Sequence, residues 1–366
     1  MAWRTITGVL LLALFCIGCS AIPEKPAIYI FGDSTADVGT NSFLPNSQFR
    51  ANYLYYGIDF PKSTPTGRFS NGLNTADFIS KLMGLESSPP PFLSINSTSS
   101  LKKYSMIGLN FASGGSGILD LTGENVTTNT LKSKKNKNVV SLREQIKQFA
   151  AVRGTLADLM GQAAARNYLA NCLFFISTGS NDIFAYYLTR SNVPKNEFTS
   201  ILGSKYERHL ELLISLGARK IGIISVPPIG CCPSPRAVNE TGGCLDGLNE
   251  QAVTFHSTIR IMMDRISSRH KEIKYSIGNA FNMTMDVLQS PISLFNETKA
   301  ACCGTGKLNA QKMCNPKSSL CSDRTKYLFW DSFHPTSAAS EVAATTLFQG
   351  GPRYVYPINF SQLAAA

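Results

Sequence analysis

Three side chains have the types that a nucleophilic mechanism requires, although they lie at opposite ends of the chain. Ser34 follows the apolar segment AIYIF and stands beside Asp33. Asp331 and His334 lie three residues apart in FWDSFHPT, so a single turn can present both side chains to one side. A serine hydroxyl is a weak nucleophile until a base takes its proton, and an acid can hold that base in the required tautomer. These residue types predict attack of Ser34 on a carbonyl carbon, with His334 as base and Asp331 as its partner.

Such an attack also needs donors for the negative charge that develops on the carbonyl oxygen. We consider three donors: the backbone N–H of Ser34, a backbone N–H of the Gly114–Gly115 turn in NFASGGSG, and the side-chain amide of Asn181 in TGSND. Because the two glycines are adjacent, the sequence leaves open which amide of that turn serves.

Each motif also has a purely structural interpretation. GDS occurs in many turns, Asn181 can cap a helix, and the spacing of Asp331 and His334 also suits a capped turn. The histidines favour the chemical interpretation, because His334 is the one that lies in a loop beside an acid. The other three fall in helical segments with charged neighbours, where we expect surface positions: His209, His256 and His270.

The elements that must position these residues are indicated by apolar runs that lack the alternation of a half-exposed strand. Such runs are typical of strands buried on both faces of a parallel sheet. They lie at residues 27–33, 106–115, 172–182, 220–228 and 274–281. Helical patterns separate them, at 141–170, 204–218 and 249–270. The alternation predicts an α/β fold with helices on both faces, in which the carboxyl ends of the strands share one edge.

Composition limits the class of protein. The 366 residues are 43% hydrophobic and 16% charged, which is typical of a globular chain with a sizeable core. The formal charge is +11, but the basic residues are mostly dispersed and no aromatic interleaving supports binding to nucleic acid. A basic secreted protein is instead attracted to acidic wall polymers or other anionic surfaces.

The first 21 residues differ from the rest of the chain. Arg4 gives a positive start, the apolar run 9–17 is too short to span a bilayer, and small residues precede a cleavage position near Ala21. This pattern predicts a secretory signal peptide at residues 1–21, followed by one domain at 22–366 with no membrane span.

Eight of the ten cysteines lie beyond that segment. In a secreted chain they indicate a disulfide framework, whereas a zinc site is disfavoured because no CxxC pair is present. Cys231 and Cys244 bracket a short loop and are predicted to pair. The other pairings expected are those of Cys302 and Cys303 with Cys314 and Cys321 in either order, leaving Cys172 and Cys232 as free thiols.

Six N-x-S/T sequons follow the predicted signal peptide, and they indicate N-glycosylation on a eukaryotic secretory route. The sequons are at Asn96, Asn125, Asn239, Asn282, Asn296 and Asn359.

Taken in order, FGDST, NFASGGSG, TGSND and FWDSFHPT resemble the four blocks of the SGNH hydrolases, and more narrowly the plant GDSL esterase/lipase family. PTGRFSNG at 65–72, VPPIGC at 226–231 and ACCGTG at 301–306 extend the resemblance over essentially the whole chain beyond the signal peptide. The resemblance implies a three-layer, flavodoxin-like SGNH hydrolase fold with about five parallel strands. It also implies roles for five residues: Ser34 as nucleophile, Asp331 and His334 as its triad partners, and Gly114 and Asn181 as oxyanion donors together with the Ser34 amide.

Three positions depart from the family pattern. Thr35 replaces the usual Leu after the serine, Thr40 replaces the usual Asn after Gly39, and Leu73 replaces a residue that is often basic. None of them is a member of the triad, so the departures do not imply loss of activity.

We therefore expect a secreted, extracellular serine esterase of the apoplast or cell wall. It would act through an acyl-enzyme on small-molecule or polymer-linked carboxylic esters, such as lipid, acylated sugar, wall or phenolic esters, without a metal or organic cofactor. Two alternatives stay open: an acyltransferase that uses the same triad, and a non-catalytic defence or binding protein on the same fold.

The stretch 40–92 follows the first strand and is rich in Pro, Gly and Asn, so we interpret it as a long insertion and as the natural lid. Its aromatic residues alternate with polar ones, which suits stacking on sugars or phenolics at least as well as contact with oil. We therefore expect short or polar acyl esters to be preferred over emulsified triglyceride. The aromatic residues are Phe49, Tyr53, Tyr55, Tyr56 and Phe60.

Overall fold

The structure is a computed structural model that describes residues 26–124, 138–290 and 294–366. The predicted signal peptide, the predicted start of the domain and the sequon at Asn125 lie outside these residues.

The body of the protein is a six-stranded sheet in the order β10-β5-β4-β3-β1-β2. Five strands are parallel, as predicted, and β10 adds an antiparallel edge beside β5. Two small two-stranded sheets pair β6 with β9 and β7 with β8. The strands are β1 (Ile28–Gly32), β2 (Gly108–Asn110), β3 (Leu173–Ser177), β4 (Lys220–Ile224), β5 (Lys274–Gly278), β6 (Glu297–Ala301), β7 (Cys303–Gly304), β8 (Ser319–Leu320), β9 (Tyr327–Phe329) and β10 (Val355–Pro357).

Helices cover both faces of this sheet and give three layers, which confirms the predicted fold class. The helices α3, α4, α6 and α8 pack on one face, while α1, α10 and α11 pack on the other. The described helices are α1 (Thr75–Leu82), α2 (Thr98–Ile107), α3 (Leu142–Met160), α4 (Gln162–Ala170), α5 (Ser180–Leu188), α6 (Lys195–Ser215), α7 (Pro233–Val238), α8 (Asp246–Arg269), α9 (Ala280–Gln289), α10 (Ser337–Gln349) and α11 (Phe360–Ala365).

The alternation of side chains along β1 shows how one strand serves both layers. Ile28 and Ile30 point to the α1/α10 side, whereas Tyr29 and Phe31 point to the α3 side. All four side chains are fully buried, and the Phe31 ring lies 5.9 Å from that of Phe149 on α3. A strand buried on both faces has no polar positions to alternate, which explains the continuous apolar run in the sequence.

Two features differ from the sequence-based expectation. The helical pattern at 141–170 forms two helices, because Gly161 adopts φ 84° and interrupts the chain between α3 and α4. The stretch 40–92 is not only a loop, since it contains α1, which packs against α10. Helix α1 begins with a capping box, in which Asn74 and Asp77 bond each other's backbone amides.

The cysteines behave as predicted. The disulfide between Cys231 and Cys244 is confirmed, and Cys172 and Cys232 are buried free thiols. The two remaining disulfides join Cys302 to Cys321 and Cys303 to Cys314, which settles the order that the sequence left open.

Among the helices of the described ranges, none combines the length and the apolar character that crossing a membrane requires.

Candidate active site

Ser34 lies just beyond the carboxyl end of β1. Gly32, the last residue of that strand, has φ 139°, and a Cβ atom there would lie 2.0 Å from the carbonyl oxygen of Ser177 on β3. Only glycine lets β1 approach β3 this closely while the chain turns. The amide of Asp37 then donates to the carbonyl of Asp33, closing a turn that begins at Asp33 and contains Ser34. Ser34 is 9% exposed, so it is sheltered but open to a ligand.

The structure brings the three distant residues into one hydrogen-bonded row. Nε2 of His334 lies 2.7 Å from Oγ of Ser34. Nδ1 of the same ring lies 2.8 Å from Oδ1 and 2.9 Å from Oδ2 of Asp331. With its proton on Nδ1, the ring donates to the carboxylate and offers Nε2 to the serine hydroxyl. This row can remove a proton from Ser34 and stabilise the resulting imidazolium.

Asp331 is completely buried and is held in place by its own loop. Its Oδ1 accepts the backbone N–H groups of Phe333 and His334, each at 2.9 Å. Burial alone would raise the pKa of the Asp331 carboxyl. The attraction of His334 and the hydrogen bonds from His334, Phe333 and Tyr56 outweigh burial and lower that pKa, so the acid is ionised when the base acts.

The segment 302–321, which carries the disulfides Cys302–Cys321 and Cys303–Cys314, supports the loop of Asp331. The amides of Cys302 and Cys303 donate to the carbonyl oxygens of Phe329 and Trp330, at 3.0 and 2.7 Å, immediately before Asp331. The two disulfides of this segment therefore brace the backbone that carries the acid.

Replacing both Cys303 and Cys314 by serine should lower the free energy of unfolding by about 3 kcal/mol, because the bridge closes a short loop. It should also lower kcat. The bridge holds the backbone of Cys303 in place, and the amide of that residue anchors the loop of Asp331. Urea unfolding and ester kinetics of the double variant would test this, with Cys172→Ala as a control that removes a buried thiol but no bridge. Wild-type stability under non-reducing conditions would contradict the prediction.

The motif PTGRFSNG at 65–72 packs against the His334 ring through Phe69. The Phe69 ring lies 4.9 Å from the His334 ring, centroid to centroid. Arg68 forms a buried bidentate salt bridge with Asp77, at 2.7 and 2.8 Å, which ties the motif to α1. A buried charge pair with both partners satisfied holds its segment in one position.

The backbone amides near Ser34 differ in whether their N–H groups already donate a hydrogen bond within the protein. Within the part of the chain that the structure describes, the N–H groups of Ser34 and Gly115 have no acceptor. The Gly114 N–H donates to Oδ2 of Asp37 at 2.8 Å, and the Gly114 carbonyl accepts from Asn41 at 2.8 Å. The Gly114 carbonyl and the Gly115 N–H belong to one trans peptide group and point in opposite directions. Because Asn41 bonds that carbonyl, the Gly115 N–H points away from Asn41. The role of Gly114 stays a prediction, and Gly115 supplies the unoccupied amide of this turn.

Asn181 stands on the first turn of α5, directly after β3. Its Nδ2 donates to the carbonyl of Ser116 at 2.9 Å, which uses one of its two N–H bonds. The chain moves from β1 to β2 on one side of β1 and returns to β3 on the other, so Ser34 and Asn181 flank the point where the strand order reverses. Ligands of open α/β sheets bind at such a point.

Two buried polar side chains fix the backbone near the site, one at the end of β1 and one in the loop after β2. Gln145 on α3 bonds both the N–H and the carbonyl of Gly32, each at 2.8 Å. His209 on α6 has its Nε2 3.0 Å from the carbonyl of Ile118. The expectation that His209 lies on the surface is wrong, because this contact requires it to be buried at 5% exposure.

Asp182 fixes the loop after β2 and carries a shifted pKa. Its carboxylate accepts the amides of Ile118 and Leu119 and the hydroxyl of Thr122, at 2.7 to 3.0 Å. Burial is the largest cause that raises its pKa to about 6, the charge of Asp33 adds to it, and the hydrogen bonds oppose the shift. The folded protein therefore holds this proton more tightly than the unfolded chain does.

The stability supplied by this proton is fully present below about pH 4 and is lost as the pH rises through 6. We therefore expect the difference in free energy of unfolding, wild type minus Asp182→Asn, to fall by up to about 3 kcal/mol between pH 4 and pH 7. Urea unfolding of both proteins across that range measures it. A difference that does not change with pH would contradict the assignment.

Thr35, where the family pattern has Leu, adds a polar contact beside the nucleophile. Its hydroxyl donates to Oδ1 of Asp33 at 2.8 Å and lies 2.8 Å from Oγ of Ser177. Burial raises the pKa of Asp33, while the bonds from Thr35 and the charge of His334 oppose the shift.

The aromatic surface expected on the stretch 40–92 is only partly present. Phe49 is 37% exposed and packs over Gly115, where an added Cβ would meet its ring at 2.7 Å. Tyr56, in contrast, is 1% exposed and points into the core, so that part of the expectation is wrong.

Sequence reasoning missed Tyr56, Phe69 and Gln145 as parts of this site. Gln145 had a detectable signal, because it is a polar residue on the apolar stripe of α3 beside Leu142 and Ile146. Phe69 lies in the motif PTGRFSNG, which marked the segment but not the contact with His334. Tyr56 had no signal of its own, since Tyr53 and Tyr55 beside it have the same local pattern. Residues 26–124, 138–290 and 294–366 contain no cluster of three or more His, Cys, Asp or Glu side chains that could hold a metal ion.

A serine, a histidine and an aspartate in contact at the carboxyl edge of a three-layer α/β fold are the arrangement of ester-hydrolysing serine hydrolases. Comparison with known proteins agrees: residues 28–347 match the model of the GDSL-like lipase/acylhydrolase family. Three GDSL esterase/lipases of Arabidopsis thaliana are 35%, 34% and 36% identical to the chain. The alignments cover 93%, 97% and 92% of this chain and 90%, 95% and 88% of those proteins.

The chain therefore belongs to the GDSL-like lipase/acylhydrolase family, and the resemblance to plant GDSL esterase/lipases is confirmed. It is a hydrolase that acts on ester bonds.

Proposed function

We propose that the protein is a secreted serine esterase in which Ser34 is the nucleophile, His334 the base and Asp331 the acid. The observation that carries the proposal is the continuous row from Oγ of Ser34 through the His334 ring to the Asp331 carboxylate, with contacts of 2.7 and 2.8 Å. A buried, ionised acid behind a histidine is the arrangement that activates a serine hydroxyl.

The first half of the reaction forms an acyl-enzyme. Oγ of Ser34 attacks the ester carbonyl carbon while Nε2 of His334 accepts the hydroxyl proton. The Ser34 amide, a glycine amide of the 114–115 turn and the Asn181 side chain donate to the oxyanion. When the C–O bond to the leaving alcohol breaks, His334 returns the proton to that oxygen.

The second half releases the acid. Water loses a proton to His334 as its oxygen attacks the acyl carbon, and the oxyanion again accepts from the same donors. Collapse of this intermediate breaks the bond to Oγ of Ser34, and His334 returns the proton to the serine. Asp331 stabilises the imidazolium in both halves.

Secretion is part of the proposal and rests on several independent observations. The predicted signal peptide at 1–21 and the three disulfides both fit an oxidising extracellular compartment such as the apoplast or cell wall, with one domain at 22–366 as the secreted part. The net charge of +11 supports attraction to acidic wall polymers.

The sequons differ in accessibility, which ranks them as glycosylation sites. Asn96 and Asn296 are exposed. The side chains of Asn239, Asn282 and Asn359 are each engaged in hydrogen bonds within the fold. We therefore propose Asn96 and Asn296 as the sites most readily occupied after folding.

For the substrate, we propose short or polar acyl esters rather than emulsified long-chain triglyceride. The support is that the stretch 40–92 is anchored by buried residues such as Tyr56 and Arg68, so it is a wall of the site rather than a free lid. A wall that does not open gives no reason for activation at an oil interface.

A panel of aryl and sugar esters with graded acyl chains, in solution and as emulsion, tests this function, with Ser34→Ala as the control. We expect turnover in solution that depends on Ser34. A steady rise of kcat/KM to long chains with interfacial activation would replace this substrate class by lipid. Transfer of the acyl group to an added alcohol in preference to water would indicate an acyltransferase. A folded protein without any turnover would indicate a binding protein.

A further inference from the structure

The Asp331 carboxylate receives a hydrogen bond from a residue that lies far away in the sequence. The Tyr56 hydroxyl donates to its Oδ2 at 2.7 Å, across a separation of 275 residues. Oδ1 already accepts two backbone amides and contacts Nδ1 of His334, but Oδ2 contacts only His334 and Tyr56. Tyr56 therefore supplies one of the two hydrogen bonds to Oδ2 of Asp331.

The Tyr56 side chain is held rigidly in its position. Its ring makes edge-to-face contacts with Tyr53, Phe69 and Trp330, at centroid distances of 5.3, 6.0 and 6.3 Å. The adjacent backbone is fixed by the bond from the Gly57 amide to the Ser70 carbonyl, at 2.9 Å. With 1% exposure, water does not compete for its hydroxyl.

The proton of this contact belongs to the tyrosine. Burial, followed by the charge of Asp331, holds the pKa of the Tyr56 phenol well above its ordinary value. The phenol is consequently a donor at every pH at which the enzyme would work. The titratable or charged groups that face Asp331 and His334 are Asp33 after β1, Tyr53 and Tyr56 on the stretch 40–92, and Cys232 before α7 with Arg236 beyond it.

We propose that Tyr56 is a positioning residue of the triad, whose hydroxyl orients the Asp331 carboxylate and disperses its charge. The proposal rests on the proposed function, because it assigns Tyr56 a part in the activation of Ser34 by His334. Tyr56 does not contact the reacting atoms, so it acts through Asp331 alone.

The loss of this hydroxyl has two consequences. Without Tyr56, the undispersed carboxylate attracts the imidazolium more strongly, so the acid limb of the kcat/KM profile moves to higher pH by roughly 0.3–1 pH units. The carboxylate is also less well oriented, so kcat at the alkaline plateau falls roughly three- to thirtyfold, with little change in KM.

The direct test compares the pH profiles of Tyr56→Phe and Tyr29→Phe on a soluble aryl ester. Tyr29→Phe is the matched control, because it removes an equally buried hydroxyl that donates to the Ser105 carbonyl at 2.7 Å, away from the triad. We expect an upward shift of the acid limb and a lower kcat for Tyr56→Phe only. An unshifted limb with kcat within twofold of wild type would overturn the proposal, as would equal effects in both variants.

A second substitution keeps the proposal testable if Tyr56→Phe does not fold. Replacing Tyr56 by 3-fluorotyrosine strengthens the donor with little change of shape, so the acid limb should move to lower pH, opposite to Tyr56→Phe. An unchanged limb would overturn the role of Tyr56 while the wild-type activity stands. Absence of ester turnover in the wild type would instead refute the proposed function, so the two failures are distinct.

Discussion

Replacing Ser34 or His334 by alanine is expected to remove nearly all ester turnover while the fold persists. Each variant deletes one member of the hydrogen-bonded row that runs from Oγ of Ser34 through His334 to Asp331. Without either member, no proton can pass from the serine hydroxyl to the histidine. We expect kcat to fall roughly 10⁴-fold or more in either variant. Since the members act as a unit, the double variant should be little worse than either single variant.

Kinetics on a soluble ester and thermal unfolding of the same preparations measure this effect. Ser215→Ala at the carboxyl end of α6 and His256→Ala on α8 are matched controls that change the same residue types away from the site. Both controls should keep wild-type activity. Substantial activity in purified Ser34→Ala would refute the mechanism, and multiplied losses in the double variant would show that the two residues act independently.

Asn181→Ala is expected to lower kcat by roughly 10²–10³-fold with little change in KM. Its side chain keeps a second N–H after the bond to Ser116, and a donor to the oxyanion acts most strongly in the transition state. Removing it therefore raises the barrier more than it weakens substrate binding.

The control for this variant is Asn171→Ala, which removes an asparagine side chain at the opposite end of β3. We expect that protein to retain normal kinetics. If Asn181→Ala also has a normal kcat, then Asn181 only supports the loop through Ser116 and is not an oxyanion donor.

Much of the architecture was predictable, because the information is local. A strand buried on both faces must be apolar throughout, so β1, β3, β4 and β5 appear as runs in the sequence. Residues that follow such strands must meet at one edge of the sheet, which is why the sequence predicts that Ser34 and Asn181 come together.

The supporting contacts were not predictable, because they depend on pairs that no local pattern links. The bond from Tyr56 to Asp331 spans 275 residues, and its neighbours Tyr53 and Tyr55 have the same chemistry in the sequence. The burial of His209 likewise depends on a loop after β2 that accepts its hydrogen bond. The choice between the Gly114 and Gly115 amides depends on Asp37 and Asn41, whose positions follow only from the folded backbone.

The most direct test of the central claim, that His334 activates Ser34 as a nucleophile, is labelling with a fluorophosphonate followed by intact mass measurement and peptide mapping. We predict one adduct per chain, located on Ser34, with no labelling of Ser34→Ala and slow labelling of His334→Ala. A folded wild-type protein that takes up no label, or equal labelling of Ser34→Ala, would contradict the claim.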